Sequence, residues 1–200
     1  MAVVAVLVLA LVMSSDAQSA VLGGDLPQLR VALAGDPKAL VRRHGPAEVT
    51  LLMLAAVRGD VGVVSCLLDA GADPNAVNAN GETAIILAAA AHRPEVVHIL
   101  VSAGAQVDHR DAQGMTALHR AVFGGRQGST SAVDTLRALL DVGADASVAD
   151  LQGKLPYESA RHRRWTWVVP LLGWQLSGYH PVDGSDPVSR LLEEAARPRR

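Results

Sequence analysis

Aromatic residues make up 3% of this 200-residue chain. That leaves little material for a β-sandwich or barrel core, whereas the abundant alanine, valine and leucine suit closely packed helices. Cys66 is the single cysteine, so no intramolecular disulfide can form. The lysines are Lys38 and Lys154, and every other basic side chain is arginine, a bias that accompanies GC-rich coding. No basic excess exists: the formal charge is −2, which argues against nucleic acid as the main partner. Asn75, Asn78 and Asn80 lack the following Ser or Thr of a glycosylation site.

No apolar run is long enough to cross a membrane. The longest, Ala2–Met13, has 12 residues. As a helix it would rise about 18 Å, against a hydrocarbon core of about 30 Å. Its length, and the small residues of Ser15-Asp16-Ala17 after it, fit a secretory signal spanning residues 1–17. Cleavage after Ala17 would leave Gln18 as the mature N-terminus and place the protein outside the cell or in the periplasm. No Lys or Arg precedes the run, so the signal lacks its basic flank. An apolar helix packed on the domain is the alternative, with a membrane-anchored or cytoplasmic location if the segment is not cleaved.

What the sequence does contain is a repeat. Gly71, Gly104 and Gly143 stand 33 and then 39 residues apart, and Gly81, Gly114 and Gly153 keep the same two spacings. Thr50, Thr83 and Thr116 recur every 33 residues. Markers that share one period and one six-residue insertion define a repeating unit. Each threonine can cap the helix that follows it. A second helical pattern follows in each unit: Val63, Val64, Leu67 and Leu68; then Val96, Val97, Leu100 and Val101; then Val133, Leu136, Leu139 and Leu140. The glycine after it fits a left-handed C′ position.

These motifs resemble the ankyrin-repeat family, whose unit of about 33 residues is a β-turn and two antiparallel helices. The family signature Gly-x-Thr-Pro-Leu-His-x-Ala is matched by Gly81–Ala88, by Gly114–Ala121 and more weakly by Gly153–Ala160. Leu67-Leu68-Asp69-Ala70-Gly71-Ala72-Asp73-Pro74-Asn75 matches its second signature. Alanine replaces the family proline at positions 84 and 117, and His119 keeps a histidine that Met53 and Ile86 replace. No glycine precedes Thr50, so the first hairpin finger is expected to be shortened or absent.

The resemblance implies an all-α ankyrin-repeat solenoid: antiparallel helix pairs joined by β-turn fingers, with N- and C-terminal capping helices. Its expected parts are a capping helix pair at 25–44 and repeats at 48–80, 81–113 and 114–152. A degenerate capping repeat follows at 153–176, and a tail with a short helix at 177–200. In the N-terminal cap, Leu26, Leu29, Ala32 and Leu33 make one stripe and Ala39, Leu40 and Val41 begin a second helix, with Gly35-Asp36 as the turn equivalent to Gly59-Asp60. The inserted residues, within 124–131, lengthen the turn between the third unit's helices. Trp165–Leu172 would be an outer helix carrying Pro170, with Trp165, Trp167 and Trp174 covering the end of the core.

No catalytic constellation stands out. The seven histidines include no HExxH pair, and neither a Gly-x-Ser-x-Gly elbow nor a phosphate loop occurs. Cys66 reads as a small core-facing hydrophobe. No metal or cofactor is implied. The family resemblance gives His119 a structural role, tethering neighbouring hairpins, along with Thr50, Gly71, Gly81, Thr83, Gly104, Gly114, Thr116, Gly143 and Gly153. It implies a non-enzymatic scaffold that binds another protein on its concave surface; the N-terminal segment makes it an exported bacterial-type one, and a monomer is expected. Carried over position by position, the contact residues are Ala79, Asn80, Glu82 and Ala90, then Arg110, Ala112, Gln113, Met115 and Phe123. The alternative function is a membrane-associated adaptor held by its N-terminal segment or by the Trp-rich cap.

Overall fold

The computed structural model describes residues 16–124, 130–156 and 158. Eight α-helices occur among them: α1 (Asp16–Gly23), α2 (Leu26–Gly35), α3 (Leu51–Arg58), α4 (Val61–Asp69), α5 (Ala84–Ala90), α6 (Pro94–Ser102), α7 (Ala117–Gly124) and α8 (Thr130–Asp141). A 3-10 turn occupies Pro37–Leu40. The signal and membrane-anchor readings of the Ala2–Met13 run, the loop at 125–129, the tryptophan segment and the tail lie outside the described residues.

Local chemistry sets the helix ends. The Asp25 and Asp60 side chains accept from Gln28 N at 2.9 Å and Val63 N at 3.0 Å, starting α2 and α4. Pro94 starts α6, its missing N–H being no loss at a first-turn position. Helices α4, α6 and α8 close in the same way. Gly71, Gly104 and Gly143 adopt φ of +93°, +89° and +91°, and their N–H groups reach Leu68 O, Val101 O and Leu140 O. The next N–H groups, of Ala72, Ala105 and Ala144, reach Leu67 O, Leu100 O and Leu139 O, completing a Schellman motif at the end of each of these three helices.

The helices pair as α1–α2, α3–α4, α5–α6 and α7–α8. Inner helices α1, α3, α5 and α7 stack on one another, and so do outer helices α2, α4, α6 and α8. Sandwiched between neighbours and outer helices, α3 is buried from Leu51 to Val57 and α5 from Ala84 to Ala89. That explains why these segments are apolar all round rather than along a stripe. On the outer helices Val63, Val64 and Leu67, then Val96, Val97 and Leu100, face inward and are fully buried. Each such side chain contributes about 1.5–3 kcal/mol relative to exposure. Cys66 is half-buried and packs against this core.

Three expectations need correcting. The first helix pair is α1 and α2, not two helices within 25–44. Gly24, at φ +72°, and the capping Asp25 form its turn, so Gly24-Asp25 rather than Gly35-Asp36 corresponds to Gly59-Asp60. Asp36 ends α2, and after it Pro37–Leu40 makes a 3-10 turn that leaves Val41 exposed. In α8 the buried set is Ala132, Thr135, Leu136, Ala138 and Leu139, while Val133 lies half-exposed. Thr135 can be buried because its hydroxyl donates to Ser131 O at 2.7 Å.

Candidate functional site

The turns between units form a row of fingers held by their own carboxylates and amides. Asn78 Oδ1 accepts from the N–H groups of Asn80 and Glu82, both at 2.9 Å. Asp111 Oδ1 accepts from Gln113 at 2.9 Å and Met115 at 3.0 Å. Asp150 Oδ1 accepts from Gln152 at 2.8 Å and Lys154 at 2.9 Å. All three residues are buried. Sequence reasoning missed them, although Asn78, Asp111 and Asp150 each precede the finger glycine by three residues.

Adjacent fingers are joined through their backbones. Ala79 N donates to Ala47 O, Ala112 N to Asn80 O and Leu151 N to Gln113 O, each at 3.0 Å. The approach is close enough that a Cβ on Gly81 would lie 3.0 Å from Ala112 N, and one on Gly114 2.8 Å from Leu151 N. The first finger is present in shortened form, as the isolated bridge between His44 and Val49. Its Ala47 keeps the register of Asn80 and Gln113, and Glu48 takes the left-handed place of the finger glycine at φ +53°. Pro46 stands where Ala79 and Ala112 donate to the preceding finger. Having no N–H, it starts the ladder without a dangling donor.

His119 ties the third unit to the next finger. Its Nδ1 accepts from Thr116 N at 3.2 Å, which leaves Nε2–H to donate to Lys154 O at 3.1 Å. The ring is fully buried, and burial holds its pKa below the ordinary histidine value, against the opposing effect of the Lys154 bond. Met53 partly replaces the imidazole: Thr50 N donates to its Sδ at 3.4 Å. Ile86 cannot do so, and the buried Thr83 hydroxyl has no partner.

Arg120, from α7, fastens two fingers together. Its Nε donates to Asp111 Oδ2 at 2.7 Å and its Nη2 to Gln113 Oε1 at 2.7 Å, with Glu82 Oε1 at 3.3 Å. Arg110 Nη2 donates to Ala149 O at 2.9 Å, and His109 Nε2 to Gly81 O at 3.0 Å. Nothing along the chain announces these bridges: those of Arg120 and Arg110 join different units, and that of His109 ties the end of its unit to the finger at its start.

Of the expected contact residues, Ala79, Asn80, Arg110, Ala112 and Gln113 are exposed along the finger row. Ala90, Met115 and Phe123 are half-buried. Glu82 is engaged by Arg120 and by Asn78 Nδ2 at 2.9 Å, so it braces the finger. Among the described residues no group of His, Cys, Asp or Glu is arranged to hold a metal, and no helix is long and apolar enough to cross a membrane.

Helix pairs, laddered fingers and a histidine tether in one register are the parts of a known repeat, and residues 52–150 match the family model described as ankyrin repeats (3 copies). This segment is a stack of ankyrin repeats. A 65-residue stretch of the chain is 40% identical to the E3 ubiquitin-protein ligase XB3 of Oryza sativa subsp. japonica. The likeness covers 32% of this chain and 14% of the ligase, so the chain spans a small part of that relative's length. Ankyrin stacks present extended concave surfaces of the kind that bind other proteins.

Proposed function

We propose that the protein is a non-catalytic scaffold that binds another protein on the surface formed by its finger tips and inner helices. One observation carries the reading: exposed tips are fixed on a rigid frame. Ala79, Asn80, Ala112 and Gln113 lie open to solvent, yet the backbones of all four take part in the finger ladder. A surface fixed before the partner arrives gives up little conformational entropy on binding. The family's general use of this surface supports the same reading.

Affinity capture with the full chain tests it. The bait is compared with Asn80→Glu/Ala112→Glu, changed at the tips, and with Arg137→Glu, changed on the exposed face of α8. A partner retained by the native chain and the α8 variant but lost by the tip variant is the expected result. A partner held equally by all three would overturn the assignment of the surface.

A further inference from the structure

The charges of the stack are sorted by face, and we infer that the finger and inner-helix face takes an acidic segment of its protein partner. The inference rests on the scaffold reading above and specifies the partner's chemistry. Arg43 and Arg110 are exposed on the fingers, with Lys154 half-exposed on the last one. Arg58 is exposed at the C-terminal end of α3. Arg93, exposed beside it, donates through Nε to Val57 O at 3.1 Å. Cations thus stand at both ends of the inner helices.

The acids on this face are occupied. Asp111 is closed off by two backbone N–H groups and the Arg120 guanidinium, and its side chain has 0% exposure. Asp150 holds two N–H groups of its own finger. Glu82 is bonded to Asn78 and Arg120, and Glu158 accepts from Leu155 N at 2.8 Å. The exposed acids that remain are Glu48, Asp16 at the start of α1, and Asp25 at its C-terminal turn, which accepts from Gln28 N. A ligand therefore meets exposed guanidinium and ammonium groups, while most carboxylates are already saturated with donors.

The opposite side has the reverse character. Asp69, Glu95, Asp134 and Asp141 are exposed on α4, α6 and α8. Asp73, Asp108 and Asp145 are exposed on the loops that follow the outer helices or lead to the next finger. Among the described residues of the outer helices, Arg30 on α2 and Arg137 on α8 are the Lys or Arg residues. This acidic back repels a polyanion large enough to wrap the stack, so a short acidic protein segment fits better than nucleic acid. The opposed faces would also orient such a segment as it approaches.

Fluorescence anisotropy with the full chain tests this. The probes are a labelled peptide alternating glutamate with serine, its lysine counterpart, and a single-stranded oligonucleotide of matched charge. The glutamate peptide should bind, and should weaken as ionic strength rises. Arg58→Glu/Lys154→Glu should raise its Kd at least about tenfold. Neither of these side chains carries a hydrogen bond to the described residues, so the circular dichroism melt should stay unchanged. Asp134→Lys/Asp141→Lys should leave the Kd as it was. A glutamate peptide that fails to bind, or that ignores the Arg58/Lys154 reversal, overturns the inference. So does an oligonucleotide that binds more tightly through those two residues. A captured partner that depends on the finger tips but is not displaced by the glutamate peptide also overturns it, while the scaffold reading stands.

Discussion

Thr50, Thr83 and Thr116 share one register, and the residue three positions later decides what each hydroxyl can do. Thr50 Oγ1 accepts from Met53 N at 3.3 Å, and Thr116 Oγ1 lies 3.1 Å from His119 Nδ1. Thr83 Oγ1 is buried with no partner. Thr83→Val, close in shape, should therefore leave the urea midpoint unchanged or raise it, whereas Thr50→Val and Thr116→Val should each cost about 1 kcal/mol. His119 adds a pH dependence. Its folded pKa is lowered by burial, and a proton on Nδ1 would face the Thr116 N–H. The unfolded chain binds that proton more readily, so the stabilisation is complete above the unfolded value of about 6.5 and is lost as pH falls through the folded pKa. Urea titrations from neutral to mildly acid pH should show this loss. His119→Ile should reduce the pH slope without abolishing it, because burial lowers the pKa of His44 as well.

At the scale of elements, glycines of identical backbone geometry differ in what surrounds them. Gly114 and Gly153 have φ of +74° and +76°. A Cβ on Gly114 would meet Leu151 N at 2.8 Å, whereas one on Gly153 meets none of the described residues within 4 Å. Gly153→Ala should cost about 1–2 kcal/mol, the left-handed penalty alone, and Gly114→Ala clearly more. Thermal melts of the two variants compare them directly. Glu48 shows the other side of the same constraint, being an exposed residue held at φ +53°. Glu48→Gly should stabilise by up to about 1 kcal/mol in the same melts. The turn of the first helix pair was misplaced for a related reason. Gly35-Asp36-Pro37 and Gly24-Asp25-Leu26 both offer turn residues, and only the packing of α1 shows that Gly24-Asp25 joins the pair.

For the whole molecule, each unit depends on its neighbours. A second set of bonds runs beside the finger ladder. Asn75 accepts from Gln106 N at 2.8 Å and donates to Gly104 O at 3.0 Å, and Asp108 accepts from Asp145 N at 2.9 Å. Asn75→Ala should cost about 1–2 kcal/mol. Because stability in such a stack is a sum of units and interfaces, the same variant should also lower the urea m-value as the units uncouple. The proposed signal cleavage has a consequence at this scale too. Ala17 and Gln18 are both buried within α1, so the bond between them lies in the packed first helix. A chain beginning at Gln18 should melt a few degrees below one beginning at Met13, which calorimetry can measure. N-terminal sequencing of the natural protein then tells which form is made.

The repeat was legible in the sequence because its markers answer to local rules. A left-handed glycine ends each of three outer helices, a threonine opens each of three inner helices, and apolar spacing marks the faces. Those needs are met within a few residues, so period and helix order follow from the chain itself, and the fold class with them. Other features were decided by residues far apart in sequence. The ladder from Ala47 to Leu151, the Arg120 bridge and the His119–Lys154 bond each join different units. Burial of Thr135, engagement of Glu82 and the separation of exposed cations from exposed acids are equally invisible along the chain. They arise only when stacking brings one unit's donors against the next unit's acceptors and leaves the remaining charges facing water.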